Sequence, residues 1–451
     1  MKMKRLTAAV LAAAATLSLA ACGSTQTTSA AANTAAASDS TEEASTEQTP
    51  INSSEFVPSL DTNTSASLEI TGFMGNYEAL DQVINDFNEI YPNVVFTYDH
   101  TGGNMLNDYL NNNQNVDIFM TTDQSINRPD IETDYVGNRC LDFLQEDINL
   151  SSIREDALIA CTTADGKLLR IPVAMNPCGI VVNKTLLKNE GLEMPTNYEE
   201  FMTVLAALKE KGYTPIQGSE RHVYTELMVD MLMDTLYADE TLLPALQAGE
   251  EKAVEAVLPV FEKLGSIMEN GYTDYDLNST FGTDNYDSTI MAFYEGDMPF
   301  YVCTAECFSG MKKRESKSEN YSANPFEYEF CYAPLGENGV YAYTEPWYGF
   351  SVNKDSDEKE LALEFMRFMT CSDQIEQLAS IKGMPAVNKD AVDERYPAIK
   401  NITNVEASYT SDGTVPGTVW GVFATVCMDY SKGEYTTPEE AAKAFVSACA
   451  A

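Results

Sequence analysis

Leu168-Leu169-Arg170-Ile171-Pro172-Val173-Ala174-Met175-Asn176-Pro177-Cys178-Gly179-Ile180-Val181-Val182-Asn183-Lys184 carries two β-branched runs, at 170–173 and 179–182, parted by Met175-Asn176-Pro177. Proline removes a backbone donor and pushes the residue before it into extended geometry, so the runs read as two strands rather than one ladder. A polar break of this kind suits a chain crossing between two lobes.

Upstream, Leu68, Ile70 and Phe73 mark a strand, and from Tyr77 the residues Leu80, Val83, Ile84, Phe87 and Ile90 recur at helical spacing until Tyr91-Pro92. Val94, Phe96 and Tyr98 alternate as a second strand. A short helix at Met105, Leu106, Tyr109 and Leu110 follows, then a third strand at Asp117-Ile118-Phe119-Met120. Strand, helix, strand, helix, strand is the order of a mostly parallel α/β sheet, whose ligand crevice lies at the carboxyl ends of the strands. That rule puts residues 73–77 and 121–123 at a binding face.

Downstream, Thr196-Asn197-Tyr198-Glu199 behind Pro195 reads as a capping box opening a helix with Phe201, Val204, Leu205 and Leu208 on one face. Amphipathic helices are predicted at 227–236 and 254–268, a loop at 271–285, and a helix through Ile290, Met291 and Phe293. Residues 298–303 and 330–334 read as strands, and the charged stretch 312–324 as a solvated loop. A second crossing is expected at Glu345-Pro346-Trp347-Tyr348-Gly349-Phe350-Ser351-Val352-Asn353, before a helix with Leu361, Ala362, Phe365, Phe368 and Met369. Thr437-Pro438-Glu439-Glu440 begins a last helix.

The 451 residues are too many for one core, so two domains are expected. A net charge of −41 repels nucleic acid and anionic membrane surfaces and disfavours polyanionic ligands. Lys2, Lys4 and Arg5, an apolar run over 6–19 and Leu19-Ala20-Ala21-Cys22 form a cleaved targeting segment, too short to span a bilayer. Residues 23–66 are expected to act as a flexible tether: up to Ser54 they hold one Ile and no aromatic residue. Nine further cysteines are scattered, and only His100 and His222 could assist them, so no zinc site is expected. Cys303 and Cys307 would face one another if that stretch were helical; otherwise these cysteines read as small buried hydrophobes.

Four segments in this order resemble the bacterial ABC-transporter extracellular solute-binding proteins of family one, the sugar-binding type. They are Phe87-Asn88-Glu89-Ile90-Tyr91-Pro92; Ile171-Pro172 through Val182-Asn183-Lys184-Thr185-Leu186-Leu187 to Pro195-Thr196; Ala292-Phe293-Tyr294-Glu295-Gly296-Asp297; and Gly349-Phe350-Ser351-Val352-Asn353 through Glu364-Phe365-Met366. Leu-Ala-Ala-Cys before Gly23 likewise resembles a lipoprotein signal, which implies a lipidated Cys22; a plain secretory signal is the alternative. The resemblance implies an α/β fold of the two-lobed periplasmic-binding-protein type (type II), with hinge crossings and a central ligand cleft. Its first lobe would take 67–174 plus 349–388 and its second 175–348 plus 389–451. It further implies a lipid-anchored monomer on the extracellular face of a bacterial membrane (in the periplasm where there is an outer membrane). Such a monomer delivers a captured carbohydrate to ABC permease subunits, with no cofactor, metal or catalysis.

Sugar recognition sets aromatic faces against the apolar face of a pyranose and polar forks against its hydroxyls. The candidates are Tyr77, Tyr224, Trp347 and Tyr348 as platforms, with Asn76, Thr122, Asp123, Asn176, Arg221 and Glu306 as polar partners. Tyr224 fits a core helix equally well, and Arg221 a surface charge. Where members of the family often carry Gly-x-Trp, this chain has Thr304-Ala305-Glu306, which weakens a malto-oligosaccharide and admits an amino sugar, a polyol or another cationic solute. Two other functions use the same residues: a surface sensor or adhesin with this cleft, and a glycoside hydrolase with two of the 69 acidic residues.

Overall fold

In the computed structural model, residues 48–72, 78–101, 106–112, 115–121, 136–163, 165–281, 286–388, 404–411 and 414–450 are described. Eleven strands occur among them. They are Ala66–Gly72 (β1), Val94–His100 (β2), Ile118–Thr121 (β3), Ile171–Met175 (β4), Cys178–Asn183 (β5), Ile216–Gln217 (β6), Phe300–Thr304 (β7), Tyr328–Cys331 (β8), Val340–Thr344 (β9), Pro346–Val352 (β10) and Val405–Thr410 (β11). The first sheet runs β2-β1-β3-β10-β4, the second β6-β7-β5-β8, and β9 pairs with β11 alone.

Within the first sheet β1 is parallel to both β2 and β3, and β10 is antiparallel to both of its neighbours. Strand β4 belongs to the first sheet and β5 to the second, so Asn176-Pro177 carries the chain from one to the other. Both strands are buried throughout, as a crossing packed on both sides requires. Gly179 and Gly349 allow this closeness: a Cβ at Gly179 would meet the Cys331 carbonyl, and one at Gly349 the Ile171 carbonyl.

Each sheet has its own core. Helices Glu78–Ile90 and Lys359–Met369 cover the first, where Phe87 stacks on Tyr91 at 4.7 Å and meets Phe365 edge-on at 5.2 Å. The second core joins Tyr198–Glu210, Leu227–Ala238, Glu251–Glu269, Gly417–Ser431 and Pro438–Cys449 through Phe201, Phe261, Phe423 and Phe445. Burying one such side chain is worth about 1.5–3 kcal/mol, which is why each helix keeps an apolar stripe.

Several local expectations need correction. The N-cap of Tyr198–Glu210 is Asn197, whose Oδ1 accepts from the Glu200 amide at 3.0 Å, and Glu200 rather than Glu199 reaches back to Thr196 at 2.8 Å. Residues 312–324 are not a loop. They complete the helix Ala305–Arg314 and form a turn at Glu315–Lys317 and a helix Glu319–Ala323, because Tyr321 packs against Tyr294 at 4.7 Å and Phe326 at 5.0 Å. The expected loop at 271–285 contains a helical turn, Tyr275–Ser279, capped by Asp274. Cys303 lies on β7 and Cys307 in the following helix, so they share no helix; none of the nine cysteines of the described residues is in a disulfide, and all but Cys449 are buried.

Candidate ligand cleft

Asn176 ties the crossing to its surroundings. Its backbone amide donates to the Glu345 carbonyl at 2.9 Å, and its side-chain Oδ1 accepts from the Glu306 amide at 2.9 Å. The Ala305 amide donates to the Pro177 carbonyl at 2.9 Å, and Thr304 caps the helix Ala305–Arg314 through its hydroxyl. The connection from β4 to β5, the start of that helix and the connection from β9 to β10 therefore meet at one asparagine, only 8% exposed.

Against this junction lies a cavity of about 280 Å³, close to the lower end of the ~300–1,000 Å³ common for small-molecule sites. Asn176, Arg221, Glu226, Glu306, Glu345, Trp347, Tyr343 and Trp420 are among its lining residues. Hollows of about 440 and 470 Å³ lie elsewhere, one around Phe308 and Tyr328 and one around Asp117 and Asp355. Neither touches Asn176 or Glu345, and neither combines two crossings with convergent aromatic and polar groups.

A widened π turn, His222–Glu226, opens the helix that continues as Leu227–Ala238. Such turns displace side chains from the ordinary helical stripe, and here both ends of the turn face the cavity. Glu226 is 8% exposed: one oxygen lies 3.6 Å from Arg221 Nε, and the other accepts the Cys178 thiol at 3.2 Å. Burial raises the Glu226 carboxyl above its ordinary range, with Arg221 opposing. One turn on, burial and then the Glu226 charge push Asp230 well upward. Burial first, and Arg221 second, lower His222 to about 4, so it is neutral at physiological pH. Glu306 rises to about 7 through burial alone.

Of the residues singled out from sequence, Asn176, Arg221, Glu306 and Trp347 line this one cavity. Tyr348 sits behind Trp347, ring centroids 5.0 Å apart and nearly perpendicular, and is 1% exposed. Tyr224 is also 1% exposed and packs on Tyr275 in the second core, with the Asn278 amide reaching its hydroxyl at 3.4 Å. Asn76, Tyr77, Thr122, Asp123 and Cys22 lie outside the described residues. Glu226, Tyr343, Glu345 and Trp420 were not anticipated. Trp420 had a usable signal, since it is one of only two tryptophans.

Among the described residues no group of His, Cys, Asp and Glu could hold a metal ion, and no helix is long and apolar enough to cross a membrane. The family model for bacterial extracellular solute-binding proteins matches residues 73–374, more than half of the chain. No curated protein sequence matches significantly. Among solved structures, a periplasmic solute-binding protein from Pectobacterium atrosepticum is 17% identical with a TM-score of 0.67, over 85% of this chain and 98% of that one. A sugar transporter from Bacillus licheniformis, in complex with stachyose, is 18% identical with a TM-score of 0.60, over 84% and 98%. The GacH receptor of Streptomyces glaucescens, solved unliganded and with acarbose, is 16% identical with a TM-score of 0.64, over 85% and 97%. At these identities the likeness is one of fold.

Proposed function

We propose that this chain, which belongs to the family of bacterial extracellular solute-binding proteins, captures a carbohydrate in the cleft at Asn176 and hands it to an ABC permease. It performs no chemistry on the solute. What carries this reading is that two tryptophans, Trp347 and Trp420, line one cavity together with Asn176, Arg221 and three glutamates. A pyranose presents that combination in reverse, an apolar face and a rim of hydroxyl groups. The sugars named with the structural neighbours, stachyose and acarbose, support the same class.

The rest of the organisation follows the sequence. Cys22 is the lipidated N-terminus, residues 23–66 are the tether, and the body is a monomer on the outer face of the cell membrane. The lobes divide as 67–174 plus 349–388 and 175–348 plus 389–451. Asn76, Tyr77, Thr122 and Asp123 are further ligand contacts in this reading. Closure requires that the solute bind the closed form better than the open one.

A thermal-shift screen with monosaccharides, oligosaccharides, amino sugars and polyamines tests the proposal. A sugar at 100 times its Kd should add about 2.7 kcal/mol of stability. A shift with a polyamine and with no sugar would refute it. Release of cleaved product from a labelled oligosaccharide would refute the absence of catalysis.

A further inference from the structure

We propose that residues 48–65 form a docking strap, which fastens the anchored end of the chain onto the first lobe and sets how close to the bilayer the body sits. The inference rests on the lipid-anchor reading and shortens its tether to residues 23–47. By composition the stretch 48–65 belongs with the tether, yet Phe56 and Leu60 pack against the first core. The Thr49 carbonyl accepts from the Asn149 side chain at 2.8 Å, and the Ile51 carbonyl from the Ser372 amide at 2.8 Å. Asn52 and Glu55 close a capping box on the turn Ser53–Glu55. The Ser53 amide and hydroxyl both donate to Asp373, the amide at 2.7 Å. Phe56 meets Phe368 edge-on at 5.3 Å, with the Arg367 guanidinium 5.6 Å from its ring.

The receiving surface is built for the strap. The Ser59 amide and hydroxyl donate to the two oxygens of Glu364 at 2.7 and 2.6 Å, and Tyr91 and Arg367 donate to the same carboxylate at 2.5 and 2.6 Å. Glu364 is 1% exposed, and a buried carboxylate is tolerated only when its oxygens are filled. Half of those donors come from Ser59, so the strap completes the helix Lys359–Met369 rather than merely resting on it. Fixing each residue costs about 1–2 kcal/mol of backbone entropy, which so polar a segment offsets only through ties of this kind. Among the described residues, every hydrogen bond and ring contact that 49–59 makes outside itself falls on Asn149, Ser372, Asp373 or the helix Lys359–Met369. The chain thus leaves the body beside Ser372, at the start of the helix Ser372–Lys382. The far end of that helix leads to Pro385, whose carbonyl accepts the Met175 amide at 2.8 Å beside the crossing. A helix of that length spans about 16 Å, so the anchor holds the first lobe away from the hinge and leaves the second to swing.

The full chain on a phosphatidylcholine bilayer tests this, with neutron reflectometry reading the height of the protein layer and hydrogen exchange reading the strap. In the parent, amides 51–59 are expected to be protected together with those of β1. Phe56→Ala combined with Ser59→Ala should speed their exchange at least about 100-fold while β1 keeps its rates. The same variant should move the protein layer outward by roughly 10 Å, the reach that a freed 48–65 adds in series to 23–47. Should that variant unfold the first lobe by leaving Glu364 half-filled, Asp373→Ala loosens the Ser53 end without touching Glu364. Free exchange of 51–59 in the parent, or a freed strap with the layer still at the parent's height, would overturn the strap and leave the anchor standing. A parent that floats with vesicles no better than Cys22→Ser would overturn the anchor, and the strap's role at the membrane with it.

Discussion

Glu306 stands where the cleft's electrostatics are concentrated, and its consequences are measurable without knowing the ligand. Its carboxyl is raised to about 7 by burial, against an ordinary value of 4.5. Facing it are Glu345 across Asn176, the Glu226–Arg221 pair and neutral His222 on the π turn, and the Tyr348 ring, whose phenol it pushes up further after burial. A raised folded-state value means the stabilising contribution is complete below 4.5 and is lost as pH climbs through about 7. Glu306→Gln should therefore melt close to the parent at pH ~5 and clearly above it at pH ~8. An equal difference at both values would show that Glu306 titrates normally. Trp347→Ala belongs to the same scale. Losing one aromatic face should weaken sugar binding by roughly 10–100-fold, or about 1.4–2.7 kcal/mol, while the circular dichroism spectrum is unchanged. Unchanged affinity would remove Trp347 from the site.

Among the elements, the crossing was readable because Pro177 and the β-branched runs on either side leave few alternatives. Its tightness was not readable: Gly349 looks like any strand glycine until its closeness to the Ile171 carbonyl is seen. Gly349→Ala sets a methyl against backbone on the neighbouring strand, so it should cost about 1–3 kcal/mol in urea unfolding, as overpacking does. A midpoint within error of the parent would mean that the two strands can part at no cost. Local signals also explain what was missed. In the helix Gly417–Ser431, Val419, Phe423, Val426, Cys427 and Tyr430 keep helical spacing, but Gly417 and Gly421 weaken its propensity, and Trp420 was overlooked with it. Glu226 is an acid at the head of an apolar helix, and only the π turn shows that it faces the cavity. Strands β9 and β11 pair across 60-odd residues of chain, a non-local choice that no periodicity announces.

For the molecule as a whole, the two tryptophans of the sequence both line the cavity, so its intrinsic fluorescence is a report from the site itself. Binding proteins of two lobes work by closing, and closure shortens the particle while it buries the indoles. Titrating the preferred sugar should therefore change tryptophan emission and lower the radius of gyration in X-ray scattering with the same half-saturation. Emission that saturates at constant radius would mean that the sugar occupies the second lobe without drawing the first onto it. A net charge of −41 adds a kinetic signature. A cationic solute is steered by that field, so its association rate should fall as salt rises. A neutral sugar, having no net charge to steer, should associate at a rate that salt leaves alone. If both rates respond equally in stopped-flow fluorescence, the field acts on the protein's own closure and not on the ligand.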